Sequence, residues 1–146
     1  MSNHFANRRS PSGPRISQEM PFFGTVPVSA VTYAVPLGSA TPTTAPPVTA
    51  AQYRIPISGK LDTLQISNQP VGADAVPASY QVQKNNADVG SPVIIANNAA
   101  GPVRVDLSAI NVLAGDLIGI NVATPVFAGA APAAKILLTW SPTTSA

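Results

Sequence analysis

The stretch Ser79-Tyr-Gln-Val-Gln-Lys-Asn-Asn86 decides the fold class of this 146-residue chain. Its tyrosine and valine alternate with two glutamines, a two-residue period that is typical of a strand with one buried and one solvated face. The two asparagines follow at once, and asparagine tolerates the positive φ angles of a tight turn. The stretch therefore predicts a β-strand that ends in a hairpin turn.

Upstream of this stretch, residues 25–37 are rich in valine and threonine and broken by Pro27 and Pro36, which predicts an edge strand or a pair of short strands. Two further strands are predicted between that region and this stretch. Residues 52–57 would place Tyr53, Ile55 and Ile57 on one face, and residues 60–68 form the next strand after a short turn. In the second strand the leucines at positions 61 and 64 are out of phase with a two-residue period. This irregularity predicts a β-bulge before position 64.

Strands are also predicted downstream, each bounded by turn-forming residues. Residues 93–96 are a continuous apolar run, and residues 117–122 are apolar apart from Asn121; such runs are typical of strands covered on both faces. Residues 103–107 and 135–140 alternate instead, so each should bury one face. The spacing of about 8–12 residues between strands is that of a sandwich or barrel.

Composition favours the same fold class. Proline accounts for 16 residues and charged residues for only 10%, whereas helices tolerate proline badly and need charged faces. The best helical signal is one turn at 106–112, which Ser108 could cap. We predict an all-β fold, a jelly-roll β-sandwich of about eight strands. An immunoglobulin-like sandwich is the alternative, although the chain has no cysteine for the usual inter-sheet disulfide.

Charge divides the chain into two predicted parts. The net charge is +2, and residues 1–24 carry all of it, because residues 25–146 contain five basic and five acidic residues. Residues 1–24 begin with a polar stretch that has neither strand nor helix period, which predicts an extended basic N-terminal arm. Residues 25–146 would form the β-sandwich domain. A neutral body poor in charge should be poorly soluble alone, which favours an oligomer or lattice component.

The sequence gives little support for catalysis. The one histidine, His4, lies in the predicted arm, and without cysteine there is no thiolate nucleophile or metal ligand. The acidic residues are scattered, and those beside turns (Asp62, Asp74 and Asp116) are expected to bond to local backbone. We expect no enzyme activity, cofactor, metal or small-molecule substrate. No apolar run is long enough for a membrane span, and the N-terminus does not resemble a secretory signal.

The predicted arm carries the candidate binding residues. Two apolar and three basic side chains suit an extended chain laid along a neighbouring protein, for example as an added strand; they are Phe5, Arg8, Arg9, Arg15 and Ile16. Three arginines without interleaved aromatic residues are a weak signal for nucleic acid. We therefore predict a protein partner for the arm.

Three stretches in order carry a resemblance to a known family. They are Arg54-Ile-Pro-Ile-Ser-Gly59, Tyr80-Gln-Val-Gln-Lys-Asn-Asn86 and Val112-Leu-Ala-Gly-Asp-Leu-Ile-Gly-Ile-Asn-Val122. Together they resemble the C1q/tumour-necrosis-factor-like jelly rolls of bacterial and phage surface proteins, over roughly residues 52–140. The resemblance implies a homotrimer whose apolar strands face a shared axis. The collagen-like stalk that often precedes such domains is replaced here by the short basic arm.

A trimeric β domain with an extended arm is most similar to a phage capsid decoration (cement) protein. That resemblance implies a structural virion protein on the capsid surface, made in the host cytoplasm, with the major capsid protein as partner. The alternative is a receptor-binding or fibre-tip surface domain of a phage or bacterium. Its ligand contacts would then lie in the loops at 38–50 and 123–133. An enzyme is the third and least supported hypothesis.

Overall fold

The computed structural model describes residues 18–23, 32–34, 52–68, 75–99, 101–126 and 134–143. These residues form antiparallel β-strands and turns, with no helix among them. The strands are β1 (Gln18–Phe23), β2 (Thr32–Ala34), β3 (Tyr53–Arg54), β4 (Gly59–Asn68), β5 (Pro77–Lys84), β6 (Ala87–Asp88), β7 (Val93–Ala96), β8 (Val103–Asp106), β9 (Asn111–Val112), β10 (Leu117–Ala123) and β11 (Ala134–Pro142).

The strands form two sheets. In the first sheet the order is β1-β11-β4-β8, and the short β9 also pairs with β4. In the second sheet β10 lies between β2 and β5, with β3 also on β10. The other side of β5 pairs with β6 near its end and with β7 near its start. Every pairing is antiparallel, so each strand can bury one face and expose the other.

The inward-facing residues of both sheets form one apolar core. Alternate residues of the long strands are buried, as in β5, where Ala78, Tyr80 and Val82 point inward. At one end of the core the rings of Tyr53 and Trp140, from different sheets, lie 6.3 Å apart in a tilted arrangement. One core shared by two antiparallel sheets is a β-sandwich, so the predicted fold class is confirmed.

Two local predictions are confirmed by the backbone. Leu138 of β11 pairs with Leu64 and Trp140 with Leu61, so two residues of β4 lie opposite one of β11. This is the predicted bulge before Leu64, and it returns both leucines to the buried face. Asn85 and Asn86 have φ angles of 53° and 67°, as the predicted turn requires.

Three local predictions are wrong. The predicted strand at 52–57 ends after Arg54, because the next residues bond to the loop before β10 and Ile57 turns into solvent. The run 93–96 is not covered on both faces, because β7 has open solvent outside the sheet and Ile94 is 59% exposed. The predicted helical turn at 106–112 is a non-helical turn, in which the Ser108 amide donates to the Asp106 carboxylate.

The first described strand lies within the predicted arm. Gln18–Phe23 form β1 and pair with β11, so these residues belong to the first sheet. The five candidate binding residues of the arm precede them and lie outside the described residues. The division of the chain at residue 24, the strand number and the jelly-roll topology stay predictions. No helix in the described part of the chain is long and apolar enough to span a bilayer.

Candidate interaction surface

Acidic groups in the described residues are dispersed rather than gathered. Across these ranges, no three His, Cys, Asp or Glu side chains lie close enough together to hold a metal ion. Individual acids instead bond to nearby protein groups. Asp62 accepts a 2.5 Å hydrogen bond from the Ser141 hydroxyl, and Asp106 accepts one from the Ser108 amide at 2.8 Å. That amide holds the pKa of the exposed Asp106 carboxyl below its ordinary value.

A polar corner joins the β5–β6 turn to the loop before β10. The Asn85 side-chain amide donates to Asp116 Oδ1 at 2.9 Å and accepts from the Leu117 backbone amide at 2.9 Å. The other Asp116 oxygen accepts from the Leu113 backbone amide at 2.8 Å. Alongside, Gln52 Nε2 donates to Asn86 Oδ1 at 2.6 Å. These bonds fix two loops to each other.

The pKa of Asp116 agrees with a structural role at this corner. The Leu113 amide lowers it most, followed by the Asn85 side chain, with a contribution from the charge of Lys84. The carboxylate therefore stays ionised and bonded to local backbone, as the sequence predicted for this residue. The same prediction for Asp74 falls outside the described residues. A carboxylate engaged in this way is poorly suited to act as a catalytic base.

The outer face of the first sheet carries most of the charge. Six of the ten charged side chains among the described residues point outward from it, three acidic and three basic; we call this surface the charged face (Glu19, Lys60, Asp62, Arg104, Asp106 and Lys135). Polar bonds cross between its strands. Arg104 donates to Gln65 at 2.7 Å, and the hydroxyls of Thr63 and Thr139 are 3.0 Å apart.

The outer face of the second sheet is different. Strand register places Ile94, Ser79 and Ala123 in one row across β7, β5 and β10. Side chains opposite each other in antiparallel strands point to the same side, and their buried neighbours show that this side is outward. Two flanking rows complete what we call the neutral face (Pro77, Ser79, Gln81, Ile94, Ala96, Asn121 and Ala123), which has no charged side chain.

The remaining charges lie at one end of the second sheet. Arg54 pairs with Leu117 at the start of β10, and Lys84 and Asp88 flank the hairpin turn. Asp116 directly precedes β10, in the polar corner. All four are therefore near the turn end, whereas the neutral face occupies the middle and the opposite end. The absence of charge from the neutral face is thus a local property of that surface.

Apolar side chains are exposed on and beside the neutral face. Ile94 lies within it, and Val76 and Val126 lie at its end away from the hairpin turn, since they precede β5 and follow the antiparallel β10. Exposed apolar side chains grouped on an uncharged surface are typical of a protein contact. Sequence reasoning missed this surface, although the apolar run at 93–96 was a usable signal for it.

The predicted binding positions are only partly within the described residues. Neither the arm residues nor the loop at 38–50 is among them, and the loop at 123–133 is described only as far as residue 126. Its described part ends at Val126, which is exposed.

The sequence was also compared with known proteins. No protein-family model matches it, and no curated protein is significantly similar to it.

Proposed function

We propose that this chain is a structural virion protein that decorates and stabilises a phage capsid. In this proposal the sandwich associates as a homotrimer, and the N-terminal arm reaches onto neighbouring subunits of the major capsid protein. The function is binding and assembly, without a cofactor or a small-molecule substrate. The proposed location is the capsid surface.

The observation that carries the proposal is the neutral face. Outward strand positions of a soluble sandwich are normally polar and often charged. On the neutral face three of the seven are polar but uncharged and four are apolar, over three strands. Such a surface has no charged side chain that could pair with a charged ligand. It suits contact with another protein surface, where charged residues are depleted from the core of the contact.

The order of the strands supports the jelly-roll part of the proposal. With β7 beside β5, the longer strands fall into two sets of four, β1-β11-β4-β8 and β2-β10-β5-β7. The first and last of the described strands pair with each other, and successive strands among these eight mostly change sheet. An eight-stranded jelly roll built from two Greek keys has such connections.

The position of β1 supports the proposed role of the arm. β1 is at the end of the strand order of the first sheet, so the chain enters the sandwich at an edge. Residues 1–17, which precede it, contain three arginines and no acidic residue. A basic segment that joins a sandwich at its edge can contact a neighbouring subunit without disturbing the fold.

A capsid-binding experiment tests the proposal. Particles assembled from the major capsid protein of the same genome would be sedimented with the full chain, with a variant lacking residues 2–17, and with a variant whose Arg8, Arg9 and Arg15 are glutamine. We expect saturable binding of the full chain, at least tenfold weaker binding of the truncated chain because its arm contacts are lost, and intermediate binding of the glutamine variant.

Two results would contradict the proposal. If the truncated chain binds the particles as tightly as the full chain, the arm has no part in binding. If the full chain does not bind the particles but binds a glycan array saturably, the receptor-binding alternative replaces capsid decoration. Truncation ends before Gln18 so that β1 and its pairing with β11 remain.

A further inference from the structure

We infer that the neutral face is the surface through which one copy of this chain packs against another. This deepens the proposed function by assigning a surface to the copy–copy contact, and it rests on that proposal only for the number of copies. The contact would centre on the row formed by Ile94, Ser79 and Ala123.

The first argument is the mismatch between the sequence of β7 and its burial. The run Val93-Ile-Ile-Ala96 is apolar at every position, as in strands covered on both sides. The sandwich covers one side only: Ile95 is 4% exposed, whereas its neighbour Ile94 is 59% exposed. A second protein surface over Ile94 would supply the missing cover. Because removing apolar surface from water is favourable, burying this side chain favours association.

The second argument is the shape and polarity around Ile94. Ser79 and Ala123, the next residues of the row, are small and let a facing backbone approach closely. Gln81 already uses its side-chain amide within its own chain, donating at 3.0 Å to the carbonyl oxygens of Val82 and Val89. These donor bonds remain in place when the face is covered. The desolvation cost of burying Gln81 is therefore lower than that of burying a side-chain amide with no protein partner.

The third argument identifies the occupant as another copy. A partner with a charged surface gains no ion pair from the neutral face and would lose hydration of its own charges. A second neutral face matches in charge, because neither surface carries a group that the other would repel. The charged groups available for a different partner lie elsewhere, in the arm, on the charged face and at the hairpin-turn end of the second sheet.

A matched pair of variants tests this inference. Ser79→Glu places a carboxylate in the central row of the neutral face, and Ser67→Glu places one on the outer side of β4, in register with Lys135 of the charged face. Both serines are half-buried residues within long strands. Sedimentation equilibrium of each full-length variant would be compared with that of the unmodified chain, with circular dichroism and thermal unfolding confirming the fold.

We expect Ser79→Glu to raise the dissociation constant between copies at least tenfold, because it buries an unpaired charge, and Ser67→Glu to change it less than twofold. Equal effects of the two variants, or an unaltered constant for Ser79→Glu, would overturn the inference. Should Ser79→Glu fail to fold, Ile94→Ala removes the central apolar group without adding charge. It should still weaken association severalfold, and unchanged association would overturn the inference. None of these measurements uses capsids, so failure here is distinct from failure of the proposed function.

Discussion

The two outer faces of this sandwich are built from the same strand alternation but have opposite chemistry. The outward positions of the first sheet hold six charged side chains, with polar bonds between strands. The corresponding positions of the neutral face, on the second sheet, hold serine, alanine, glutamine, asparagine, proline and one exposed isoleucine. Alternation selects which residues point outward, and the identity of those residues decides whether the surface is adapted to water or to a protein.

The difference between the two faces also shows that the few charged residues are unevenly distributed. A charged fraction of ten per cent is compatible with charges spread evenly over a surface that relies on hydroxyl and amide groups. In the described residues the charges are instead concentrated on one sheet and at one end of the other. The charged face resembles the surface of an ordinary soluble domain, whereas the neutral face is left with little to keep two copies apart.

The largest expected contrast lies between two consecutive residues of β7. Ile95→Ala should lower the free energy of unfolding by about 2–5 kcal/mol, because it opens a cavity in the core between the sheets. Ile94→Ala should change it by no more than about 0.5 kcal/mol when measured on the dissociated chain. Urea denaturation at low protein concentration measures both. Equal losses would mean that the two sides of β7 are equally buried.

The inner side of the second sheet should also respond to alkali. Burial raises the pKa of Tyr80 to about 12, above its ordinary value of 10.0. As the pH rises, the unfolded chain therefore loses the tyrosine proton before the folded chain does. The contribution of protonated Tyr80 to the free energy of unfolding is intact below pH 10 and declines from there to pH 12. The decline should be about 2 kcal/mol. Tyr80→Phe should lack this part of the decline in urea denaturation at each pH, and an identical alkaline decline in the variant would contradict the assignment.

Acid should lower stability through the carboxylates of the charged face and the polar corner, because the neutral face has none. Local hydrogen bonds lower the pKa values of Asp106 and Asp116 below the ordinary 3.8. Their contribution to stability is therefore present above about pH 4 and declines as the pH falls through the lowered values. Thermal unfolding from pH 7 to pH 2 should show this decline, reduced in Asp116→Asn. Stability that rises on acidification would contradict the direction of these shifts.

The smallest expected effect is that of salt on association. Surface charges within a contact would be screened as the ionic strength rises, but the neutral face contains none. The dissociation constant between copies should therefore change less than twofold between 0.05 M and 0.5 M sodium chloride, measured by sedimentation equilibrium. A tenfold weakening at high salt would show that the charged face makes the contact instead.

The sequence predicted the fold class better than the candidate surface. Alternation in Ser79–Lys84, the bulge before Leu64 and the two asparagines of the turn are local signals, and the structure agrees with each. The neutral face depends on which strands lie side by side, and Ile94, Ser79 and Ala123 are far apart in sequence. Strand alternation alone cannot supply that pairing.

Errors at strand ends have a related cause. An apolar pattern at 52–57 looks like a strand, but its second half leaves the sheet when Ile55 bonds to the backbone of Gly115 and Asp116. The strand β1 was likewise not predicted from its sequence. The polar segment Gln18-Glu19 gives no strand period, yet its backbone pairs with the apolar β11. In both places tertiary pairing outweighs the local pattern.

Sedimentation equilibrium of the unmodified full-length chain tests the central claim most directly. The chain mass is 14.9 kDa, and the proposed homotrimer, held together through the neutral face, predicts a species of about three times that mass at micromolar concentrations. Dilution should return it toward the single chain as the contact dissociates. A single species at the mass of one chain, unchanged up to the highest concentration that stays in solution, would contradict the claim.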